Sequence, residues 1–374
     1  MEKIIIFYGS YGGGHLSAAK NVKNYIEENY SNYEVELVDC IEYVNRTLNK
    51  ITTGAFSSFS KNARWAWKSI YKNSEKGALS TISNSVNKLM SHKLNKLIQE
   101  KKPKLIISTH PFSSQMCAIL KSKRKIDCKV ATIMTDYAPH SQWIVLHNFI
   151  DYYFVAHDGM KKDLISRGID DQKIHVTGIP LSNRFLLEYD KNTILKQYNL
   201  SADNKTVLFF AGGEFGFGKD KTFNMLKSII ENFQDLQVIA IAGRNEKMKE
   251  RFEELVLQTS SSNRVKILSF TNQVPELMSI SDLVITKPGG LTTTESLAST
   301  LPILVIDPLP GQEEENAQFI ENNGAGIWIK DTDTIKDILF DILNTTNKLE
   351  TMKSNVKTVA KRNSTKDICS ILLG

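Results

Sequence analysis

Apolar residues fall along this chain in short runs, separated by glycine loops and by stretches with helical spacing. The first run, Ile4 to Phe7, leads into the glycine-rich segment Gly9 to Gly14, a helical pattern over Leu16 to Asn29, and a second apolar run, Val35 to Val38, closed by Asp39. Short continuous apolar runs read as strands buried on both faces, and strand, helix, strand in that order is a βαβ unit of a parallel sheet. Further strand-like runs lie at Leu105 to Ser108, Val130 to Met134, Tyr152 to Val155 and Ile174 to Val176, with a helical segment at Met160 to Arg167. The polar stretch Glu188 to Lys205 reads as a hinge. Beyond it the same order restarts: Val207 to Gly218 as strand and glycine loop, Val238 to Ala242, a helix over Glu246 to Leu257, Val265 to Leu268, Leu283 to Thr286, a helix from Thr292, and Ile303 to Ile306. The pattern predicts an α/β protein of two similar domains, residues 1–190 and 191–350, facing each other. Ligands should lie outside the carboxyl ends of the strands, where the glycine loops are.

Composition narrows the class. The chain has 374 residues, 41% hydrophobic and 24% charged, enough for two ordinary cores and unlike a disordered or fibrous chain. No apolar run approaches the length of a bilayer-spanning helix, and the N-terminus lacks the basic head and long apolar stretch of a secretory signal, so the cytosol is the expected compartment. Cys40, Cys117, Cys128 and Cys369 form no CxxC pair and no metal-like spacing, and read as structural thiols. Charge is uneven. Residues 1–190 carry 26 basic and 18 acidic side chains, residues 191–374 carry 21 and 23, and within 50–125 there are 16 basic residues against Glu75 and Glu100 alone. That asymmetry asks for an anionic partner, nucleic acid or an anionic membrane surface.

The glycine loops carry the candidate chemistry. A glycine loop between strand and helix lets backbone N–H groups approach an anion at a helix N-terminus, and Gly12-Gly13-Gly14 suits this. A dinucleotide fingerprint, with Asp39 as ribose ligand, fails in spacing because Ser17 stands where the third glycine belongs. It also leaves His15 unexplained: an imidazole at a helix start is held neutral and can accept a proton, unless it only satisfies backbone groups. In the second domain, Thr286 to Glu295 places Gly289 and Gly290 before Thr292 and Thr293, a cradle for a diphosphate, with Glu295 one turn on to accept ribose hydroxyls. Thr292-x-x-Glu295 is equally a capping box. Pro310 to Asn316 offers Gln312, Glu313 and Asn316 to a sugar, or else a solvated acidic helix start. The loop Gly212 to Gly218, with Gly213, Glu214 and Gly216, is too glycine-rich for a turn and suits a phosphate or sugar.

Taken together, Gly12 to Ala19, Gly212 to Gly218, Lys287 to Glu295 and Pro310 to Asn316 resemble the diacylglycerol glycosyltransferases of glycosyltransferase family 28, a group that includes processive diacylglycerol β-glucosyltransferases and monogalactosyldiacylglycerol synthases. Thr135-Asp136, His140, Trp143 and Gly178-Ile179-Pro180 also fall where that family's segments fall, so the resemblance runs nearly the full chain. It implies a GT-B architecture of two Rossmann-like domains, an N-terminal acceptor domain, a C-terminal UDP-sugar domain, and a terminal helix, Thr351 to Leu373, within 351–374, returning to the first. It further implies Phe270, Thr271 and Asn272 beside the nucleotide and Gly14 at the cleft. Pro288, Gly289, Gly290, Leu291 and Thr292 would hold the diphosphate, Glu295 the ribose, and Gln312 and Glu313 the sugar. His15 is then the expected base, with Asp136 as second base or orienting group. His140 and Trp143 fall on the acceptor side.

Inverting transfer needs a base and an anion cradle, and no metal or other cofactor. Asp331-Thr332-Asp333 imitates a metal-binding DxD but reads as a helix start over Thr334 to Leu343. The basic stretch interleaves Phe56, Phe59, Trp65, Trp67 and Tyr71 with Lys61, Arg64, Lys68 and Lys72, a mixture suited to an anionic lipid headgroup layer. The expected partners are therefore UDP-glucose or UDP-galactose, 1,2-diacylglycerol and anionic lipid, with no nucleic acid. The expected location is peripheral, on the cytoplasmic face of the membrane. A non-catalytic UDP-sugar sensor, an epimerase or a soluble-acceptor transferase is the competing reading.

Overall fold

A computed structural model of the chain describes residues 1–10, 13–44, 80–211, 219–330 and 335–374. Strands β1 (Glu2–Tyr8), β2 (Tyr33–Asp39), β3 (Leu105–Ser108), β4 (Lys129–Ile133), β5 (Tyr152–Val155) and β6 (Ile174–Val176) form one parallel sheet in the order β2-β1-β3-β4-β5-β6. Strands β7 (Thr206–Phe210), β8 (Gln237–Gly243), β9 (Val265–Ser269), β10 (Leu283–Thr286), β11 (Ile303–Val305) and β12 (Gly326–Trp328) form a second, in the order β12-β11-β10-β7-β8-β9. Both are parallel throughout because helices cover both faces. Ile4, Ile5, Ile6 and Phe7 are accordingly all inaccessible, whichever way each points. Each sheet reverses strand order once, between β1 and β3 and between β7 and β10. At such points the loops leaving adjacent strands diverge and leave a crevice.

The helices of the first half are α1 (Gly14–Asn29), α2 (Cys40–Val44), α3 (Ser80–Lys101), α4 (Pro111–Ser122) and α5 (Asp158–Ser166). Those of the second are α6 (Lys191–Gln197), α7 (Lys219–Asn232), α8 (Glu246–Gln258), α9 (Val274–Ile280), α10 (Gly290–Ala298), α11 (Gln312–Asn322), α12 (Ile335–Asn344), α13 (Lys348–Val359) and α14 (Ser364–Leu373). The stretch read as a hinge contains α6, capped by Asp190, whose side chain accepts from Asn192 N and Thr193 N. α6 buries Ile194 and Leu195 and packs on α9 of the second half. Asp39, the ribose ligand a dinucleotide reading requires, caps α2 instead: its Oδ1 accepts from Ile41 N and Glu42 N, each at 3.0 Å.

The single terminal helix expected over Thr351 to Leu373 is two helices. α13 ends where Ala360 turns extended, because the chain must leave the second sheet and cross to the first. There α14 lies on α1, with Ile368 and Cys369 fully buried in the cluster of Ala19, Val22, Ile26 and Phe154. Thr365 fastens it, its hydroxyl donating to Leu181 O at 2.6 Å while accepting from Leu181 N at 2.8 Å. Truncating a fully buried isoleucine removes its transfer free energy and leaves a cavity. Ile368→Ala should therefore lower stability by about 2–5 kcal/mol, read as a lower midpoint in denaturant unfolding.

Candidate active site at the two strand-order reversals

His15 follows β1 as the second residue of α1, and the loop after β3 faces it. Its Nδ1 lies 2.5 Å from Thr109 O, and Thr109 Oγ1 donates back to His15 O at 2.9 Å. A carbonyl oxygen only accepts, so Nδ1 carries the proton, and the neutral ring presents a bare Nε2 lone pair. The Thr135 hydroxyl, just past β4, is 3.0 Å from the same Nδ1. Burial holds the imidazole neutral by lowering its pKa to about 4, against the hydrogen bond to Thr109, which raises it. His110 stands edge-on to His15 with ring centres 4.7 Å apart. It caps α4, accepting from Phe112 N through Nδ1, and burial followed by the His15 charge pushes its pKa well down. Two neutral imidazoles therefore sit side by side.

The second reversal is closed by α10. Its N-cap is Gly289, and both Gly289 and Gly14 have open space where a side chain would be, so the mouths of α10 and α1 are free to admit a ligand. The two helices touch across the cleft. Gly290 has the opposite environment: a Cβ there would lie 1.9 Å from Thr135 O. Backbone meets backbone at that point, so only glycine fits. With Gly289 as N-cap, Glu295 is six residues into α10 and does not form the capping box that Thr292-x-x-Glu295 suggested. Its carboxylate makes no hydrogen bond to the protein, and burial raises its pKa to about 8. Leu291 packs on the core, and Thr293 is fully buried with Oγ1 unpartnered.

α11 follows its N-cap Gly311, whose φ of 101° favours glycine, and brings three of the expected residues to the cleft. Gln312 Oε1 is buried without a partner. Glu313 Oε2 accepts from Leu309 N at 2.6 Å, so this carboxylate already holds its own loop. Asn316, expected to touch the sugar, does something else. It is fully buried; Oδ1 accepts from Tyr137 N at 2.8 Å, while Nδ2 donates to Pro288 O at 2.8 Å and Asp136 Oδ1 at 3.2 Å. With the amide occupied on both sides, no donor remains for a hexose. Burial raises the Asp136 pKa to about 6; the Asn316 hydrogen bond lowers it, and Glu313 and Glu315 raise it.

Three further residues lie just past the end of β9. Phe270 is 59% exposed with the Arg244 guanidinium 5.1 Å from its ring centre, an open aromatic face that suits a base. Thr271 Oγ1 accepts from Gln273 N at 3.0 Å, and Asn272 is exposed. On the acceptor side, Trp143 is 3% exposed and belongs to the core, its ring 6.4 Å from that of His15. It lines the site and cannot itself meet a membrane. His140 caps the short turn Ser141–Trp143 by accepting from Gln142 N. Gly213, Glu214, Gly216, Asp331, Asp333, and the aromatic and basic residues Phe56, Phe59, Arg64, Trp65, Trp67, Lys68, Tyr71 and Lys72 lie outside the described residues. Among the described residues no cluster of three or more His, Cys, Asp or Glu could hold a metal ion.

Sequence reasoning missed the residues that join the halves. The Tyr137 hydroxyl is 2.9 Å from Thr294 Oγ1, and Phe319 of α11 lies 4.5 Å from the rings of both Tyr137 and His157. Arg184 and Glu276 form a further ion pair across the hinge. The one signal available for His110 is its place before Pro111 at the end of β3, where a helix cap follows a strand.

Two facing parallel sheets with glycine-opened helix mouths at both reversals are the GT-B architecture. Residues 15–181 match monogalactosyldiacylglycerol (MGDG) synthase and residues 207–370 match the glycosyltransferase family 28 C-terminal domain. Two curated relatives named processive diacylglycerol beta-glucosyltransferase are similar over the whole chain. The one from Staphylococcus haemolyticus is 32% identical over 100% of this chain and 92% of its own, and the one from Bacillus licheniformis is 29% identical over 100% and 94%. The chain belongs to this family of diacylglycerol glycosyltransferases. Solved structures share the fold. MurG from Acinetobacter baumannii has a TM-score of 0.66 at 12% identity over 99% of both chains. UDP-GlcNAc 2-epimerase from Neisseria meningitidis has 0.65 at 15% over 100% of both.

The contact at Gly290 is directly testable. Gly290→Ala must push the Thr135 segment away, so amide hydrogen exchange at Tyr137 should accelerate at least tenfold while amides in β8 stay protected.

Proposed function

We propose that the protein is an inverting glucosyltransferase that moves glucose from UDP-glucose to the hydroxyl of 1,2-diacylglycerol at a membrane surface, forming a β-glucosyl diacylglycerol. The observation that carries the reading is the locked tautomer of His15: a neutral imidazole, its Nδ1 proton held by Thr109 O, leaves Nε2 to receive a proton. The acceptor hydroxyl gives its proton to Nε2 as its oxygen attacks the anomeric carbon. The bond to the UDP oxygen breaks on the opposite face, and the charge gathering on the diphosphate is met by the N-terminus of α10 at Gly289. Asp136, ionised above about pH 6, adds negative charge one residue from the Thr135 that touches His15, which favours the imidazolium as it forms.

On the donor side, Glu295 accepts the ribose hydroxyls, Phe270 stacks on the base and Gln312 Oε1 accepts from the sugar. The full-length relatives are glucosyltransferases, which favours glucose over galactose. No helix among the described residues is long and apolar enough to cross a membrane. The excess of basic residues in 50–125 supports peripheral docking on anionic lipid at the cytoplasmic face. The transfer needs no metal and should proceed in chelator.

The test is label transfer from UDP-glucose and, in parallel, UDP-galactose into organic-extractable lipid, with diacylglycerol in anionic vesicles. Labelled glycolipid is expected from UDP-glucose, falling about a hundredfold or more in His15→Ala with UDP binding retained. UDP binding without lipid product from either donor would instead favour a sensor.

Glu295 gives a second readout. In the free protein at pH 7 a carboxyl of pKa about 8 is mostly protonated, whereas hydroxyl donors from the ribose favour the charged form. UDP binding should therefore release a proton at pH 7 and tighten as pH rises towards 8. Calorimetry in buffers of different ionisation enthalpy measures the release, and Glu295→Gln should abolish it.

A further inference from the structure

Residues 135–137, immediately after β4, are each held by the opposite domain. Thr135 O lies against Gly290, Asp136 Oδ1 accepts from Asn316 Nδ2, and Tyr137 is bound through its N–H to Asn316 Oδ1 and through its hydroxyl to Thr294. Asn316 Nδ2 also donates to Pro288 O, in the loop that opens α10, so one buried amide ties that loop to the 135–137 segment. At the other end of the segment, the Thr135 hydroxyl touches His15 Nδ1.

We infer that Asn316 is a positioning residue through which docking of the nucleotide domain sets the His15 imidazole, acting by way of Thr135–Tyr137. Its amide is taken up by Asp136, Tyr137 and Pro288. With the domains apart, Asp136 and the Tyr137 N–H lose their partners, and Thr135 is no longer fixed against His15. The ring then keeps its Thr109 bond but loses one of the two contacts that orient it. Docking thus builds the base and the anion cradle in one event, so that an opened cleft holding a UDP-sugar does not present an oriented base to water. This inference rests on the reading of His15 as the base.

The experiment uses the full chain, with UDP as binding probe and UDP-glucose to diacylglycerol transfer in phosphatidylglycerol vesicles as the activity. Asn316→Ala should lower kcat about tenfold or more while the Kd for UDP and the KM for UDP-glucose stay within about threefold. Asn316→Asp should be rescued by acid: a protonated Asp at 316 can donate to Asp136 and accept from Tyr137 N–H, whereas two carboxylates there repel, so the kcat optimum moves to lower pH than in wild type. Thr135→Val, which keeps the side chain's shape and removes the hydroxyl, should lower kcat alone. The double variant Thr135→Val/Asn316→Ala should fall little below the worse single variant, because both cut one chain of contacts.

A raised KM for UDP-glucose with unchanged kcat and an unchanged Kd for UDP in Asn316→Ala would overturn the inference in favour of a sugar contact. So would a double variant whose loss is the product of the two single losses, or an Asn316→Asp profile that keeps the wild-type shape. If Asn316→Ala does not fold, Asn316→Asp at low pH and Thr135→Val decide alone. The nitrogen resonances of the His15 imidazole in UDP-bound wild type and Asn316→Ala provide a readout free of turnover. A wild type without transfer activity defeats the glucosyltransferase reading, whereas an imidazole unaffected by Asn316→Ala defeats the coupling.

Discussion

The closeness of two backbones, Gly290 of one domain and Thr135 of the other, governs the rest of the molecule. Neither sheet has a complete site. The first provides an imidazole, and the second provides the mouth of a helix, an unpartnered carboxylate at Glu295 and an unpartnered amide oxygen at Gln312. Bringing them into one cleft requires main chain to meet main chain with no side chain between, which is possible only where one partner lacks a Cβ. Around that contact the polar groups pair almost completely. Asn316 uses its whole amide, Tyr137 both its hydroxyl and its N–H, so that the burial this approach imposes is offset by hydrogen bonds.

The electrostatics follow from the same enclosure. Four titratable groups at the cleft are shifted towards their uncharged forms: His15 and His110 downwards, Asp136 and Glu295 upwards. On the reading of this cleft as a diphosphate site, a Glu295 held uncharged until the ligand arrives leaves less fixed negative charge beside the anion. The positive end of α10 is then opposed by one carboxylate charge fewer. The ligand's own hydroxyls can provide what ionises Glu295, so the charge appears only where a partner exists for it.

Much of the fold was legible in the sequence. β3, β5, β6 and β10 lie where their apolar runs place them, and β3 and β10 are buried along their whole length. α4 was not, since it is buried nearly all round and includes Ser113, Ser114 and Gln115 among its inaccessible residues, leaving no polar stripe to mark a period. The terminal segment read as one helix because its composition is helical throughout; the break at Ala360 comes from the need to cross between sheets, which no local residue records. At the site, His15 and the glycines that open α1 and α10 stand out in the sequence because a glycine-opened helix start is a local arrangement. Asn316 was misjudged because its partner Asp136 lies 180 positions away, and an asparagine after a run of glutamates looks solvated until the other domain is present.

The last helix has a consequence for how the molecule is made. α14 closes an apolar face formed by Ala19, Val22, Ile26 and Phe154, residues that leave the ribosome long before Ile368 and Cys369 do. The sheet synthesised first is thus the one completed last, and its face stays open throughout synthesis of the second. The nascent chain carries an exposed greasy groove for most of its translation, which makes the first half, rather than the second, the natural client of a chaperone.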